Sequence, residues 1–171
     1  MHMQSVFVKA ATALAAGGLV LGAGTALAAS APYPTVVASQ MVSPSHTTVI
    51  HFQTATVTIP AGTFSTPVIF SVMEGPTANF VAPAGQQVIF DFMFNVTTPS
   101  GGAGPTTFGK VLFSLNDPAV TSASQYYNYV PSTGASALNS TTLMINGSHL
   151  THEIATDKVG WFITSPTMMN P

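Results

Sequence analysis

Residues Gln86 to Val96 read QQVIFDFMFNV. Val88, Phe90, Phe92, Phe94 and Val96 recur at every second position, and Ile89, Asp91, Met93 and Asn95 occupy the positions between them. Successive side chains of an extended strand point to opposite faces, so this alternation predicts a central strand. One of its faces lies in a core, and the other, interrupted by Asp91, is partly solvated as in many antiparallel sheets.

The flanking sequence supplies partners for that strand. Thr47 to Ile59 (TTVIHFQTATVTI) also alternates, but Ile50 and Phe52 share one parity whereas Ala55, Val57 and Ile59 share the other. The change of phase at Gln53 and Thr54 predicts a bulge or a break between two strands. Val68, Phe70 and Val72 define the buried face of the next strand, which Glu74, Gly75 and Pro76 end. Thr97 to Thr107 holds three glycines and two prolines in eleven residues, the composition of a flexible, solvent-facing contact loop. Phe108 to Leu115 is a strand with Val111, Phe113 and Leu115 inward. Tyr126 to Val130, Thr141 to Ile145, Leu150 to Ala155 and Val159 to Ser165 are four more, and the final two read as a hairpin with Trp161 and Ile163 on one face. Past the leading segment, no window has helical spacing of apolar residues with caps. About eight short strands with Pro, Gly and Asn turns between them predict an all-β fold, a single antiparallel β-sandwich of the immunoglobulin-like or ZU5-like kind.

The leading residues are expected to be a targeting segment. Lys9 precedes an uncharged run from Ala10 to Gly24, and Ala26 and Ala28 form an Ala-x-Ala site. That order predicts a signal peptide over residues 1–28, cleaved after Ala28. Residues 29–46, with prolines and small residues around Val36 and Val37, are expected to be an irregular lead-in that covers an edge, and residues 47–171 the sandwich domain. Cleavage leaves about 140 residues, enough for one domain.

Charge excludes several function classes. After Lys9 is removed, Lys110 and Lys158 stand against Glu74, Asp91, Asp117, Glu153 and Asp157, with no arginine. Two lysines supply neither the phosphate contacts on which nucleic-acid affinity rests nor a polybasic membrane patch. Nucleic acid is therefore not an expected partner, and no membrane insertion is expected once the signal is cleaved. The chain has no cysteine, which removes disulfides, blue-copper and iron–sulfur sites and thiol catalysis. The near absence of charge limits self-repulsion in acid or high salt, which suits a harsh exterior.

A resemblance joins these pieces. TVTIPAGTFSTPVIFSV (Thr56 to Val72), the strand after PAGQ, FSLNDPAV (Phe113 to Val120), YYNYVPSTG (Tyr126 to Gly134) and the closing strands resemble, in their order, the ZU5-like β-sandwich modules of bacterial secreted and cell-surface proteins. The likeness covers roughly residues 50 to 165, and Ala135 stands where those modules often carry an aromatic. It implies an adhesion or structural role at the cell surface or in an extracellular matrix, with no catalytic residues to carry over. The partner it implies is a protein or a cell-envelope component, self-association included.

The residues offer few sites for chemistry. His149 and His152 in GSHLTHEI are three apart, which on a strand puts them on opposite faces; a structural role is expected for His152, semi-buried with its ring hydrogen-bonded. His46 and His51, with Met41, face the same objection, because copper needs three or four convergent ligands. The one metal pairing left open is His51 with His149, brought together by two loops. Asp91 could serve a glycosidase-type pair only with a second carboxylate nearby, for which Glu74 is the nearest strand's offer. No GxSxG, HExxH, phosphate-binding glycine loop or EF-hand loop occurs. No enzyme activity and no cofactor are expected. Three Asn-x-Ser/Thr triplets, at Asn95, Asn139 and Asn146, match chance in so Ser/Thr-rich a chain. Among Tyr126, Tyr127 and Tyr129, alternation puts the last two on one face, taken as core, and leaves Tyr126 exposed as a candidate glycan contact. The expected function is a non-catalytic secreted structural or interaction module; the alternative is a small-ligand binder, with glycan held through the tyrosines or copper through the histidines.

Overall fold

In the computed structural model, which describes residues 32–168, the central stretch is strand β5, Gln86–Thr97. The other strands in chain order are β1 (Thr35–Val42), β2 (Thr48–Phe52), β3 (Ala55–Ile59), β4 (Val68–Glu74), β6 (Thr107–Asn116), β7 (Gln125–Val130), β8 (Ala135–Leu138), β9 (Met144–Asn146), β10 (His149–Thr156) and β11 (Gly160–Pro166), with one 3-10 turn at Thr77–Asn79. They form two antiparallel sheets, one in the order β1-β4-β5-β11-β7-β8 and one in the order β2-β3-β6-β10-β9. The fold is a β-sandwich. The segment expected as a signal peptide lies outside the described residues.

The core between the sheets follows the alternation. Phe90, Phe92, Phe94 and Val96 of β5, Phe70 and Val72 of β4 and Trp161 and Ile163 of β11 meet Phe52, Val57, Val111, Phe113 and Leu150 of the facing sheet. Phe92 sits at the centre, stacked on Phe113 at 4.1 Å and on Trp161 at 5.1 Å between ring centroids. Removing such a ring from a packed core costs about 3–5 kcal/mol.

Four details depart from the sequence reading. Residues 29–46 were expected to be irregular, but Thr35–Val42 is β1, paired along β4 and forming the edge of the larger sheet. Its signal was masked by a bulge between Val36 and Ala38, which breaks the period of two. A second bulge, where β11 passes from Ile163 to Thr164, skips Ile89 of β5. Ile89 therefore packs on the main core, and Val88 turns to the outer face. The last two strands are not a hairpin: β10 pairs with β6 and β9, and β11 pairs with β5 and β7 in the opposite sheet. Thr141 to Ile145 contributes only the short β9, and β8 lies in a stretch for which no strand was expected. By contrast, the phase change at Gln53 and Thr54 is a two-residue turn joining β2 and β3, with Gln53 in the left-handed region at φ 48°.

The outer face of the larger sheet carries a second, smaller cluster of Tyr33, Met73, Phe80 and Phe162. Tyr33 is sealed beneath it, edge-on to Tyr129 at 6.1 Å, and its hydroxyl donates to the Trp161 carbonyl at 3.2 Å. This packing ties the start of the described chain across β11. The Gly- and Pro-rich loop after β5 is held to itself and to the strand: Gly102 N–H donates to Thr98 Oγ1, and Gly104 N–H to the Val96 carbonyl.

Candidate functional site

His51 and His149 both lie exposed on the outer face of the smaller sheet, but on β2 and β10. The strands between them are β3 and β6, with His51 beside Thr56, Thr56 beside Ser114 and Ser114 beside Thr151. Three strand spacings of about 4.8 Å make a separation of roughly 14 Å, far beyond the bite of one metal ion. The pairing is therefore corrected: each ring bonds locally, His51 Nδ1 with Thr56 Oγ1 and His149 Nε2 with Ser114 Oγ, both at 3.2 Å. Among the described residues no group of three His, Cys, Asp or Glu side chains converges.

Tyr126 is corrected as well. It faces Ile163 across β7 and β11 and is fully buried in the main core, so it offers no ring to a sugar. Tyr127 and Tyr129 take the outer face instead. Sequence alternation showed that Tyr126 opposes the other two, but either face of a strand covered on both sides can be core. Tyr126 stacks on His152 at 4.3 Å. His152 is buried as expected and opposite to His149, but its ring makes no well-formed hydrogen bond: Nδ1, Nε2 and the Tyr126 hydroxyl all lack partners of good geometry, and the Thr141 main chain makes only a poor one. Burial holds the His152 pKa below its usual value, opposed in smaller measure by the Thr141 main chain and the Glu153 charge.

The topology does bring Glu74 and Asp91 together. Asp91 Oδ1 accepts the Gly75 N–H at 2.6 Å, next to the end of β4. Both carboxyls are buried. Burial and then the Asp91 charge push Glu74 up to about 7, and the Gln53 side-chain amide, which donates to Glu74 Oε2, pulls it back. Burial pushes Asp91 up to about 6, against the Gly75 N–H. By alternation Glu74 points to the core side, toward Gln53 of the opposite sheet, and Asp91 points to the outer side, toward Tyr33. Leaving by opposite faces of the sheet, the two do not flank a common cleft.

The sheet edges are the exposed feature with chemical reach. β1 and β8 border one sheet, and β2 and β9 the other. None of the four carries Lys, Arg, Asp, Glu or Pro. An edge strand presents unpaired N–H and C=O groups, and proteins ordinarily guard it with charge, proline, bulges or brevity. β9 is short, but β1 is eight residues long with a single bulge, and Val36, Val37 and Met41 are exposed along it. Sequence reasoning took this segment as cover for an edge and missed that it is the edge. Comparison of the chain with models of known protein families, with characterised proteins and with solved structures finds no match.

Proposed function

We propose that this protein is a non-catalytic structural or interaction module that works outside the cell by pairing its sheet edges with other strands. The observation that carries the reading is β1: eight residues, uncharged, with exposed Val36, Val37 and Met41. Strand addition at such an edge draws affinity from main-chain hydrogen bonds and selectivity from alternate side chains. The extracellular setting is supported by the signal-like order of residues 1–28, and the cell-surface role by the ZU5-like order of the strands.

Light scattering across about a hundredfold concentration range tests it, because association follows mass action. The mass of the wild-type protein is expected to rise with concentration, or on addition of isolated cell-envelope material. Met41→Lys adds a charge to an exposed edge position and leaves the core untouched, so it should cut association at least about tenfold with little change in stability. A protein that stays monomeric with and without envelope material, or that associates equally well with Met41→Lys, rejects the reading.

A further inference from the structure

Between β10 and the turn that precedes β9 lies a pocket of about 150 Å³, lined by Lys110, Asn139, Thr141, Thr142, His152 and Glu153. Three independent features converge on it. The His152 side chain, buried to all but 3 %, lines it with both ring nitrogens unpartnered. Buried polar groups are almost always hydrogen-bonded, so a ring with no well-formed bond at either nitrogen, beside an equally unpaired Tyr126 hydroxyl, calls for an explanation. At the lip, Thr142 has φ +58°, a left-handed conformation that is costly for a β-branched residue. Its hydroxyl accepts the Glu153 N–H at 3.2 Å, so the strained residue is held against the β10 edge. At the rim, Lys110 Nζ and Glu153 Oε2 pair at 2.8 Å and cancel each other's charge.

We infer that this pocket binds one pyranose ring of a neutral carbohydrate, whose hydroxyls supply the partners that His152 lacks. Size supports the assignment, since a cavity of about 150 Å³ takes a six-membered ring. The lining selects the kind of ring: Ile154, Ala155 and side-chain carbons make most of the wall apolar, with Asn139, Thr141, Thr142 and an imidazole set into it, a mixture that suits a ring with apolar faces and a polar rim. A neutral imidazole offers one donor and one acceptor, the pair that adjacent sugar hydroxyls complement. The self-neutralised rim disfavours a charged ligand. A metal ion finds one histidine and one carboxylate that is already paired, too few for a site. The His152 nitrogens are screened from solvent, so the turn at Asn139 to Thr142 must ease back from β10 as the ring enters. Strain at Thr142 favours that movement. The inference stands on this pocket alone and does not need the edges to pair.

The test is a two-bond proton–nitrogen NMR spectrum of the imidazoles in the purified protein at neutral pH. D-glucose, D-galactose, D-mannose and N-acetyl-D-glucosamine are titrated separately to about 100 mM, enough to register a Kd of about 1 mM. At least one sugar is expected to shift the His152 ring nitrogens saturably and leave the exposed His51 and His149 in place. His152→Phe keeps a ring on Tyr126 and removes the unpaired nitrogens. It should fold with unchanged or higher Tm and raise the Kd, read from the amides of Asn139 to Thr142, at least about tenfold. Thr142→Gly relieves the positive φ, and is expected to raise Tm and weaken binding at least about threefold. The inference is overturned if none of the four sugars moves the His152 resonances of the folded protein. It is overturned equally if copper(II) or inorganic phosphate moves them and sugars do not, or if a folded His152→Phe protein binds as tightly as wild type.

Discussion

A glycine and a tyrosine close tightly on each other at the outer face of the larger sheet. A Cβ at Gly160 would run into the ring of Tyr33, which is fully buried and bonded to the Trp161 carbonyl next door. Gly160→Ala must push that ring out of the outer cluster or distort β11, and overpacking of this kind costs about 1–3 kcal/mol. Chemical denaturation should show the loss, and Tyr33→Ala should suppress most of the extra cost in the double mutant, because the two residues meet. Gln53 offers a second residue-scale case. Its amide donates to Glu74 Oε2 and steadies the charged form. Gln53→Gly removes that bond and relieves the positive φ, so the Glu74 carboxyl should titrate above its present value of about 7 in a carbon-13 NMR titration. A fall in that pKa would contradict the geometry.

Among the elements, those that alternate without interruption were legible in the sequence. β4, β5 and β6 lie in the predicted places with Val72, Phe92 and Phe113 inward, and the turn between β2 and β3 was visible as a change of parity. Elements broken by a bulge or covered on both faces were not. β1 lost its period at Val37, and Val88 changed sides at a bulge whose cause, the pairing with β11, is distant in sequence. β7 has apolar neighbours on both faces, so its parity could not say which tyrosine was inside. The wall of the His152 pocket was even less legible, because Lys110, Asn139 and His152 are drawn together from separate stretches by strand order alone. The one local sign was His152 itself, at an inward position of β10 between Leu150 and Ile154.

For the molecule as a whole, few charges mean that a small number of buried ionisable groups govern how stability depends on pH. Glu74 and Asp91 have raised pKa values in the folded state, from ordinary values of 4.5 and 3.8 to about 7 and about 6. The folded protein therefore binds more protons than the unfolded chain between pH about 4 and about 7. Stability from these groups is complete below that window and is lost as pH rises through it. His152 acts in the opposite sense: its pKa is lowered, so it removes stability as pH falls below 6.5. Two carboxyls outweigh one imidazole, and the Tm should be several degrees higher at pH 5 than at pH 8. Glu74→Gln should flatten that slope, because it removes the group whose pKa is raised furthest above the carboxylate range. A Tm that rises from pH 5 to pH 8 would refute this account.

The order of the strands also bears on when the fold can form. β11, which follows every other described strand, lies in the interior of the larger sheet between β5 and β7, and it brings Trp161 to the centre of the core. Until it docks, β5 and β7 have no neighbour on that side, and the rings of Phe92 and Phe94 have no Trp161 to close over them. Pairings between residues far apart in sequence form slowly. The earlier strands therefore cannot assemble the larger sheet in the order in which they are made, and its middle is the part that closes late.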